Sequence, residues 1–247
     1  MKSWQLTRTG PVALLTLCRP PVNSLDQEAL DELARAIGAV RESASDRALV
    51  ITGGTGKVFC SGGDLKYWRS VRDGRRVSES GRSAFALIEG LEIPTLAAIN
   101  GAVVGDGLAL ALACDIRLAS EAASFRLPEL GYGFIPGWGP IRPLVSLVGR
   151  AHATGMLLTG RSYDSAEAHA IGLVHEVVQP GTLAESTMDR ARALAAASLP
   201  AVRSAKRALG GADEQGCFED VWGSPDWEEG VEALLGKRAP VFARRNA

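Results

Sequence analysis

Short apolar runs, separated by polar and glycine-rich turns, fill the first three quarters of the chain. The runs at residues 12–17 and 48–52 are almost wholly β-branched and aliphatic, which predicts strands covered on both faces. Similar runs at 96–99, 116–119 and 173–178 predict three more strands. All five runs are four to six residues long, which is a length typical of strands rather than of helices.

Between these strands the apolar residues recur with the period of a helix. One stretch repeats them every three or four positions, at Leu30, Leu33, Ile37 and Val40. Ser24 and Gln27 have the spacing of a capping box, which predicts where this helix starts. Residues 105–113 predict a second, apolar helix. Strands and helices therefore alternate, as is typical of an α/β fold.

Three other segments depart from this alternation. Residues 66–83 scatter five arginines among Ser, Gly and Asp and predict a mobile or solvated segment. Residues 131–143 hold four glycines and three prolines, which predicts a long loop. Residues 182–247 are alanine-rich and periodic, which predicts a helical region. We therefore predict an α/β core over residues 1–181 followed by a helical C-terminal region over 182–247.

The composition and net charge argue against several classes of protein. The chain has 247 residues, 46% of them hydrophobic, enough for one large domain with a helical extension. Its 27 basic and 28 acidic residues leave a net charge of −1, which makes nucleic acid a poor partner. No apolar run is long enough for a membrane span and the first residues do not resemble a secretory signal, so we expect a cytoplasmic protein. The four cysteines and three histidines are too scattered for a metal site or disulfide framework.

Two glycine-rich turns are the strongest candidates for chemistry. Residues 60–64 (CSGGD) and 100–107 (NGAVVGDG) each follow a strand or an apolar run and expose backbone N–H groups. Neither completes a dinucleotide-binding or P-loop motif. Their N–H groups could converge on an oxygen that becomes negative during a reaction, such as that of a thioester enolate. The alternative is that these glycines only permit tight turns.

Five blocks, in the same order along the chain, resemble the enoyl-CoA hydratase/isomerase (crotonase) superfamily. The two longest are ITGGTGKVFCSGGDL at 51–65 and the stretch from IPTLAAINGAVVGDG to FIPGWG at 93–139. RPPVNSL at 19–25, LLTGRSYDSAEAHAIGLVHEVV at 157–178 and KRAPVF at 237–242 support them. The resemblance covers nearly the whole chain. It implies a crotonase-like spiral of ββα turns, a C-terminal region that assembles a homotrimer or hexamer, and an acyl-CoA thioester as substrate.

The resemblance also assigns roles to residues. It implies an oxyanion hole made by the backbone N–H groups of Gly63 and Asp106. Coenzyme A, part of the substrate and not a separate cofactor, would bind along two segments, Asn23-Ser24-Leu25 and Ser61-Gly62-Gly63-Asp64. The arginines of 66–83 could meet its phosphates, although a solvated surface is the favoured interpretation.

Carboxylates decide which reaction the chain performs. Similar hydratases carry two glutamates, but here the first position is Ala109 and only the second, Glu129 in Leu127-Pro128-Glu129, is present. Hydration uses two carboxylates, whereas moving a double bond needs one base that shuttles a proton. We therefore expect a 3-enoyl-CoA to 2-enoyl-CoA isomerase with Glu129 as its base. A hydratase or decarboxylase of altered mechanism and a non-catalytic acyl-CoA binding protein are the alternatives.

Asp106 occupies the middle position of a turn that is Gly-Gly-Gly in the family. We expect its carboxylate to point away from the enolate and to cap the following helix. The alternative is a protonated Asp106 that acts as an acid. Three aromatic side chains, Trp68, Phe134 and Trp138, are equally plausible as an acyl pocket and as ordinary core.

Overall fold

Two β-sheets of unequal size form the centre of the molecule. We analysed a computed structural model, which describes residues 2–242. In chain order the strands are β1 (Trp4–Thr9), β2 (Val12–Leu17), β3 (Ala48–Thr52), β4 (Val58–Cys60), β5 (Thr95–Ile99), β6 (Ala102–Val104), β7 (Ile116–Ser120), β8 (Ser124–Arg126), β9 (Tyr163–Asp164) and β10 (Glu176–Val178). The larger sheet has the order β1-β2-β3-β5-β7-β10 and the smaller has the order β4-β6-β8-β9.

Strand pairing is parallel except at one edge of each sheet. In the larger sheet only β1 and β2 are antiparallel, and Leu15, Ile51 and Ala97 lie side by side across β2, β3 and β5. In the smaller sheet β4, β6 and β8 are parallel, and β9 closes it antiparallel to β8. Each strand of the larger sheet from β3 to β7 is followed directly in the chain by a short strand of the smaller sheet.

Ten helices surround these sheets in the part of the chain that is described. They are α1 (Gln27–Arg41), α2 (Leu65–Trp68), α3 (Gly74–Glu89), α4 (Gly107–Leu112), α5 (Ile141–Thr159), α6 (Ser165–Ala170), α7 (Leu183–Ala195), α8 (Leu199–Leu209), α9 (Glu214–Glu219) and α10 (Pro225–Leu235). The repeated order of a long strand, a short strand and a helix confirms the predicted α/β spiral of ββα turns.

Both faces of the larger sheet are covered, as the apolar runs predicted. Leu49 and Ile51 of β3 point into a large core with the buried face of α1, whereas Ala48 and Val50 point to the opposite face. There they meet α7, whose buried residues are Leu183, Thr187, Ala191 and Ala195. The first helix of the C-terminal region thus packs directly on the α/β core. Residues 243–247 of the predicted helical region lie outside the described residues, and no helix of residues 2–242 is long and apolar enough to cross a membrane.

The local structure differs from the sequence analysis in several places. The edge strand β1 was not predicted, and the short strands β4, β6 and β8, three residues each, were missed because so few residues show no periodicity. The last predicted strand is shorter than 173–178, since only Glu176–Val178 pairs with β7. Ser24 does not cap α1. The cap is Asp26, which accepts a hydrogen bond from the N–H of Ala29 at 2.9 Å.

Most of segment 66–83 is exposed, in agreement with the prediction of a solvated segment, but the segment is largely helical. It contains the end of α2 and the first half of α3, and Asp73 caps α3 by accepting hydrogen bonds from the N–H groups of Arg75 and Arg76. Its five arginines are exposed, while the inner face of α3 buries Gly81, Ala84, Phe85 and Ile88. The helix was not predicted because its buried face is narrow and includes a glycine, so that its apolar periodicity is weak.

Candidate active site

The two glycine-rich turns lie side by side because β4 and β6 are neighbours in the smaller sheet. Gly62 has a φ of +80°, and a Cβ placed on it would lie 2.9 Å from the N atom of Asp106. A Cβ on Gly107 would lie 2.1 Å from the carbonyl oxygen of Cys60. These distances are too short for any side chain, so the glycines are required for the close approach of the two turns.

Gly63 and Asp106 each leave a backbone N–H without an acceptor among residues 2–242. The turn that carries Gly63 is fixed by Leu25, whose N–H donates to the oxygen of Gly62 and whose oxygen accepts from the N–H of Asp64, both at 2.8 Å. The sequence analysis predicted that these two N–H groups bind one oxyanion. The structure places them on adjacent turns with no competing acceptor, which is the arrangement that such a hole needs.

The residues predicted to bind coenzyme A surround the first glycine-rich turn. Asn23 and Ser24, however, make hydrogen bonds within the protein. The side-chain amide of Asn23 donates to the carbonyl oxygens of Gly53, Val58 and Phe59 at 3.0–3.2 Å. Asn23 therefore ties β4 in place and points inward. The backbone carbonyl oxygen of Ser24 accepts a hydrogen bond from the guanidinium of Arg19 at 2.7 Å.

Asp64 and Ser61 complete the predicted binding segment. Partial burial works to raise the pKa of Asp64, but hydrogen bonds from Arg19 and from the N–H groups of Tyr67 and Lys66 hold this pKa below its ordinary value. Asp64 thus stays ionised and caps α2. Ser61 lies half-buried in the same turn, next to Gly62 and Gly63.

Glu129 is the first residue of a 3₁₀ helix, Glu129–Tyr132, that follows β8. Its side chain is 4% exposed, and its Oε2 has no hydrogen-bond partner among residues 2–242. A Cβ on Gly105 would lie 2.4 Å from its Oε1, so the carboxylate lies against the second glycine turn. Burial, with a smaller contribution from the charge of Asp106, raises the pKa of Glu129 to about 7. A carboxyl group that titrates near neutral pH suits a general base.

Asp106 does not cap α4, contrary to the expectation from the sequence. Its carboxylate instead accepts hydrogen bonds from the N–H of Trp138 at 2.8 Å and from that of Gly137 at 3.2 Å. The bonds reach across more than thirty residues to the long loop that was predicted, which no local pattern reveals. Burial raises the pKa of Asp106 more than these two bonds lower it.

The loop at residues 133–140 is fastened to α3 as well as to Asp106. The indole N–H of Trp138 donates to the oxygen of Val77 at 2.9 Å, and the hydroxyl of Ser78 donates to the oxygen of Gly137 at 2.6 Å. Trp138 lies so close to α3 that a Cβ on Gly81 would come within 2.2 Å of its ring. No sequence pattern singled out Gly81, which lies in a segment for which no helix was predicted.

Two of the three aromatic candidates border the site. Trp68 and Trp138 are both buried, and a Cβ on Gly63 would contact them at 3.2 and 3.3 Å. Phe134 is 42% exposed and stacks on Tyr132 outside this cluster. Trp68 and Trp138 therefore form an apolar wall beside the N–H of Gly63.

Ala109 follows Asp106 by one helical turn and is 6% exposed. It borders a cavity of about 760 Å³ whose wall includes Gly137 and Trp138. Ala109 is the position at which the sequence analysis found no carboxylate, and it lies on the wall of this cavity. Within residues 2–242, no group of three or more His, Cys, Asp and Glu side chains could hold a metal ion.

Known proteins share both the sequence and this architecture. The enoyl-CoA hydratase/isomerase family model matches residues 7–245. YngF of Bacillus subtilis, named as an enoyl-CoA hydratase/isomerase, is 39% identical over 94% of each chain. The crotonyl-CoA hydratase of Syntrophomonas wolfei is 34% identical over 96% of each chain.

Solved structures agree with these relatives. The crystal structure of the enoyl-CoA hydratase from Bacillus anthracis has a TM-score of 0.92 and 33% identity, over 97% of this chain and 98% of that one. Pseudomonas aeruginosa DspI has a TM-score of 0.93 and 33% identity, over 98% of this chain and 97% of that one. The sequence match over residues 7–245 and the shared fold thus show that the chain belongs to the enoyl-CoA hydratase/isomerase family.

Proposed function

We propose that the protein moves the double bond of a 3-enoyl-CoA thioester into conjugation, giving the 2-enoyl-CoA. The thioester oxygen would accept hydrogen bonds from the N–H groups of Gly63 and Asp106. The observation that carries the proposal is Glu129, a buried carboxylate whose Oε2 has no partner among residues 2–242 and which lies against the same turn.

In this reaction Glu129 takes a proton from Cα, and the electron pair left behind forms an enolate whose charge the two N–H groups stabilise. The double bond then shifts as the same proton returns at Cγ, and Glu129 is again ionised. General-base catalysis supplies roughly 10²- to 10⁴-fold, and one oxyanion-hole donor roughly 10²- to 10³-fold. The pKa of about 7 leaves a substantial fraction of Glu129 ionised at neutral pH and able to accept the proton.

Within residues 2–242, the absence of a second free carboxylate against the two glycine turns favours isomerisation over hydration. Ala109 cannot orient water, and the Asp106 carboxylate is engaged by the N–H groups of Gly137 and Trp138. Glu89 borders the cavity beside Ala109, whose lining includes neither Gly63 nor Asp106. Glu129 is therefore the carboxylate available for proton transfer at the turns, and one base is enough for a shift of the double bond.

Hydration is the second candidate, because a specific feature supports it. Asp106 is half-buried and close enough to Glu129 for its charge to raise the pKa of that residue. The two residues could therefore serve as the two carboxylates that hydration uses. Relatives such as the crotonyl-CoA hydratase of Syntrophomonas wolfei carry the name of this activity. Decarboxylation of a thioester would use the same oxyanion hole.

A non-catalytic binding protein fits less well. A buried carboxylate without partners costs stability whenever it is ionised. A protein that only held an acyl thioester would gain nothing from this cost, whereas a base that must accept a proton needs a free oxygen.

The test is to supply 3-enoyl-CoA and 2-enoyl-CoA thioesters of several chain lengths and to follow formation or loss of the conjugated enone by its absorbance. We expect isomerisation without appreciable hydration, and its loss in Glu129→Gln with acyl-CoA binding kept within a few-fold. Glu185→Gln, which changes an exposed glutamate of α7, is the matched control and should keep full activity.

Ala109→Glu provides a separate test of the missing second carboxylate. We expect it to raise hydration modestly, because a catalytic group misplaced by about 1 Å loses on the order of a hundredfold. Rapid hydration by the wild type would contradict the proposal and support the Asp106 mechanism. Full isomerisation by Glu129→Gln would contradict a single glutamate base.

A further inference from the structure

The cavity beside Ala109 has a charged wall that the proposed reaction does not use. It measures about 760 Å³ and lies between α3, the loop at 133–140 and the start of α5. This volume falls within the range of small-molecule sites, roughly 300 to 1,000 Å³. Phe85, Leu112 and Trp138 supply apolar surface, while the charged groups that border the cavity are Arg82, Glu89 and Arg142.

Helix α3 directs polar side chains into this cavity. Ser78, Arg82 and Glu89 all border it, and their spacing of four and then seven residues puts them on one face of the helix. Arg82 also lies along the loop, since a Cβ on Gly139 would contact its Cγ at 3.5 Å and its Nε at 3.6 Å. Arg142 approaches from the first turn of α5.

Neither guanidinium has a hydrogen-bond or ion-pair partner in the described part of the chain. Both arginines are solvent-exposed, as is Arg75 of α3, which in contrast pairs with Glu79 at 2.7 Å. Glu89 makes no ion pair within residues 2–242 either, and burial raises its pKa. The cavity thus offers two unpaired cations and one carboxyl group, which favours an anion.

We propose that this cavity receives the far end of the acyl chain and that this end is a carboxylate, held by Arg82 and Arg142. The favoured substrates would then be thioesters in which coenzyme A carries one end of a dicarboxylic acid. This inference rests on the proposed acyl-CoA site, because the thioester end must lie at Gly63 and Asp106. The apolar surface of Phe85 and Leu112 would contact the methylene groups between the two ends.

Binding of unreactive ligands tests this inference without requiring turnover. Adipyl-CoA and hexanoyl-CoA have saturated chains of equal length and differ in whether the far end is a carboxylate or a methyl group. We expect adipyl-CoA to bind at least roughly tenfold more tightly in calorimetry, as charge-assisted hydrogen bonds provide. The preference should shrink as salt is raised.

Substitutions of the charged residues identify which of them cause the preference for adipyl-CoA. Arg82→Met and Arg142→Met should each reduce the preference several-fold while leaving hexanoyl-CoA affinity unchanged, because methionine keeps the apolar stem and removes the charge. Arg75→Met is the control and should leave the preference intact. Glu89→Gln should increase it, since an opposing carboxylate is removed.

A second pair of ligands separates the acyl carboxylate from the phosphates of coenzyme A. Adipyl and hexanoyl thioesters of N-acetylcysteamine lack phosphate, so a preference that persists with them belongs to the chain end. Equal affinity of the two acyl chains, or a preference unchanged in both arginine variants, would overturn the inference. Equal weakening of every coenzyme A ligand by Arg82→Met would assign that arginine to phosphate. Failure of the enone assay with intact adipyl preference would instead refute only the proposed reaction.

Discussion

Replacing Glu129 by glutamine should stabilise the protein, and more so at higher pH. The fold holds the pKa of Glu129 at about 7, against an ordinary value of 4.5. That difference corresponds to about 3.4 kcal/mol. Because the folded state binds this proton more tightly than the unfolded chain does, its contribution to stability is fully present below pH 4.5 and is lost as the pH rises through 7.

Glutamine imitates the protonated carboxyl group in size and polarity but never ionises. The variant should therefore exceed the wild type by about 1 kcal/mol at pH 5, where only the unfolded chain is largely ionised, and by about 3 kcal/mol at pH 8. All other titrating groups are shared by the two proteins, so the pH dependence of the difference isolates Glu129.

Unfolding by urea, followed by tryptophan fluorescence at pH 5 and at pH 8 and at one protein concentration, measures this difference. Glu185→Gln, at an exposed position of α7, should show no such dependence. An equal free-energy difference at both pH values would refute the reasoning, because it would mean that Glu129 titrates alike in the folded and unfolded states.

Three further predictions concern the surroundings of the site. Asp106→Asn should lower the pKa of Glu129, since a neighbouring negative charge is removed, and the rising limb of the pH profile of kcat/KM should move to lower pH; an unmoved limb would show that the two groups are not coupled. Gly81→Ala should destabilise the fold because its Cβ would come within 2.2 Å of an indole ring, whereas Gly38→Ala in α1, with nothing within 4 Å, should gain up to about 1 kcal/mol in thermal unfolding. Residues 182–247 should assemble a homotrimer or hexamer, because their described part exposes large apolar side chains, and a monomer in light scattering at micromolar concentration would contradict this.

The chemistry of the site could be predicted only where it depends on residue type. The two glycine turns were recognisable from their residue types because close backbone donors need glycine, whereas Glu129 was singled out by the resemblance to the crotonase superfamily. The side-chain partners of Asp106 were not, since its bonds to Gly137 and Trp138 span more than thirty positions. The position of Arg82 at the edge of the cavity also depends on how α3 packs.

The sequence by itself determined five of the six strands of the larger sheet, all except β1, and the buried face of α1. Continuous and periodic apolar runs are buried most simply as strands and as one helix face. Tertiary structure alone decided the pairing of β4, β6 and β8, whose three residues each gain a partner only when neighbouring turns of the spiral stack. It likewise decided the pKa of Glu129, since desolvation depends on everything that surrounds the carboxylate and not on its own position in the chain.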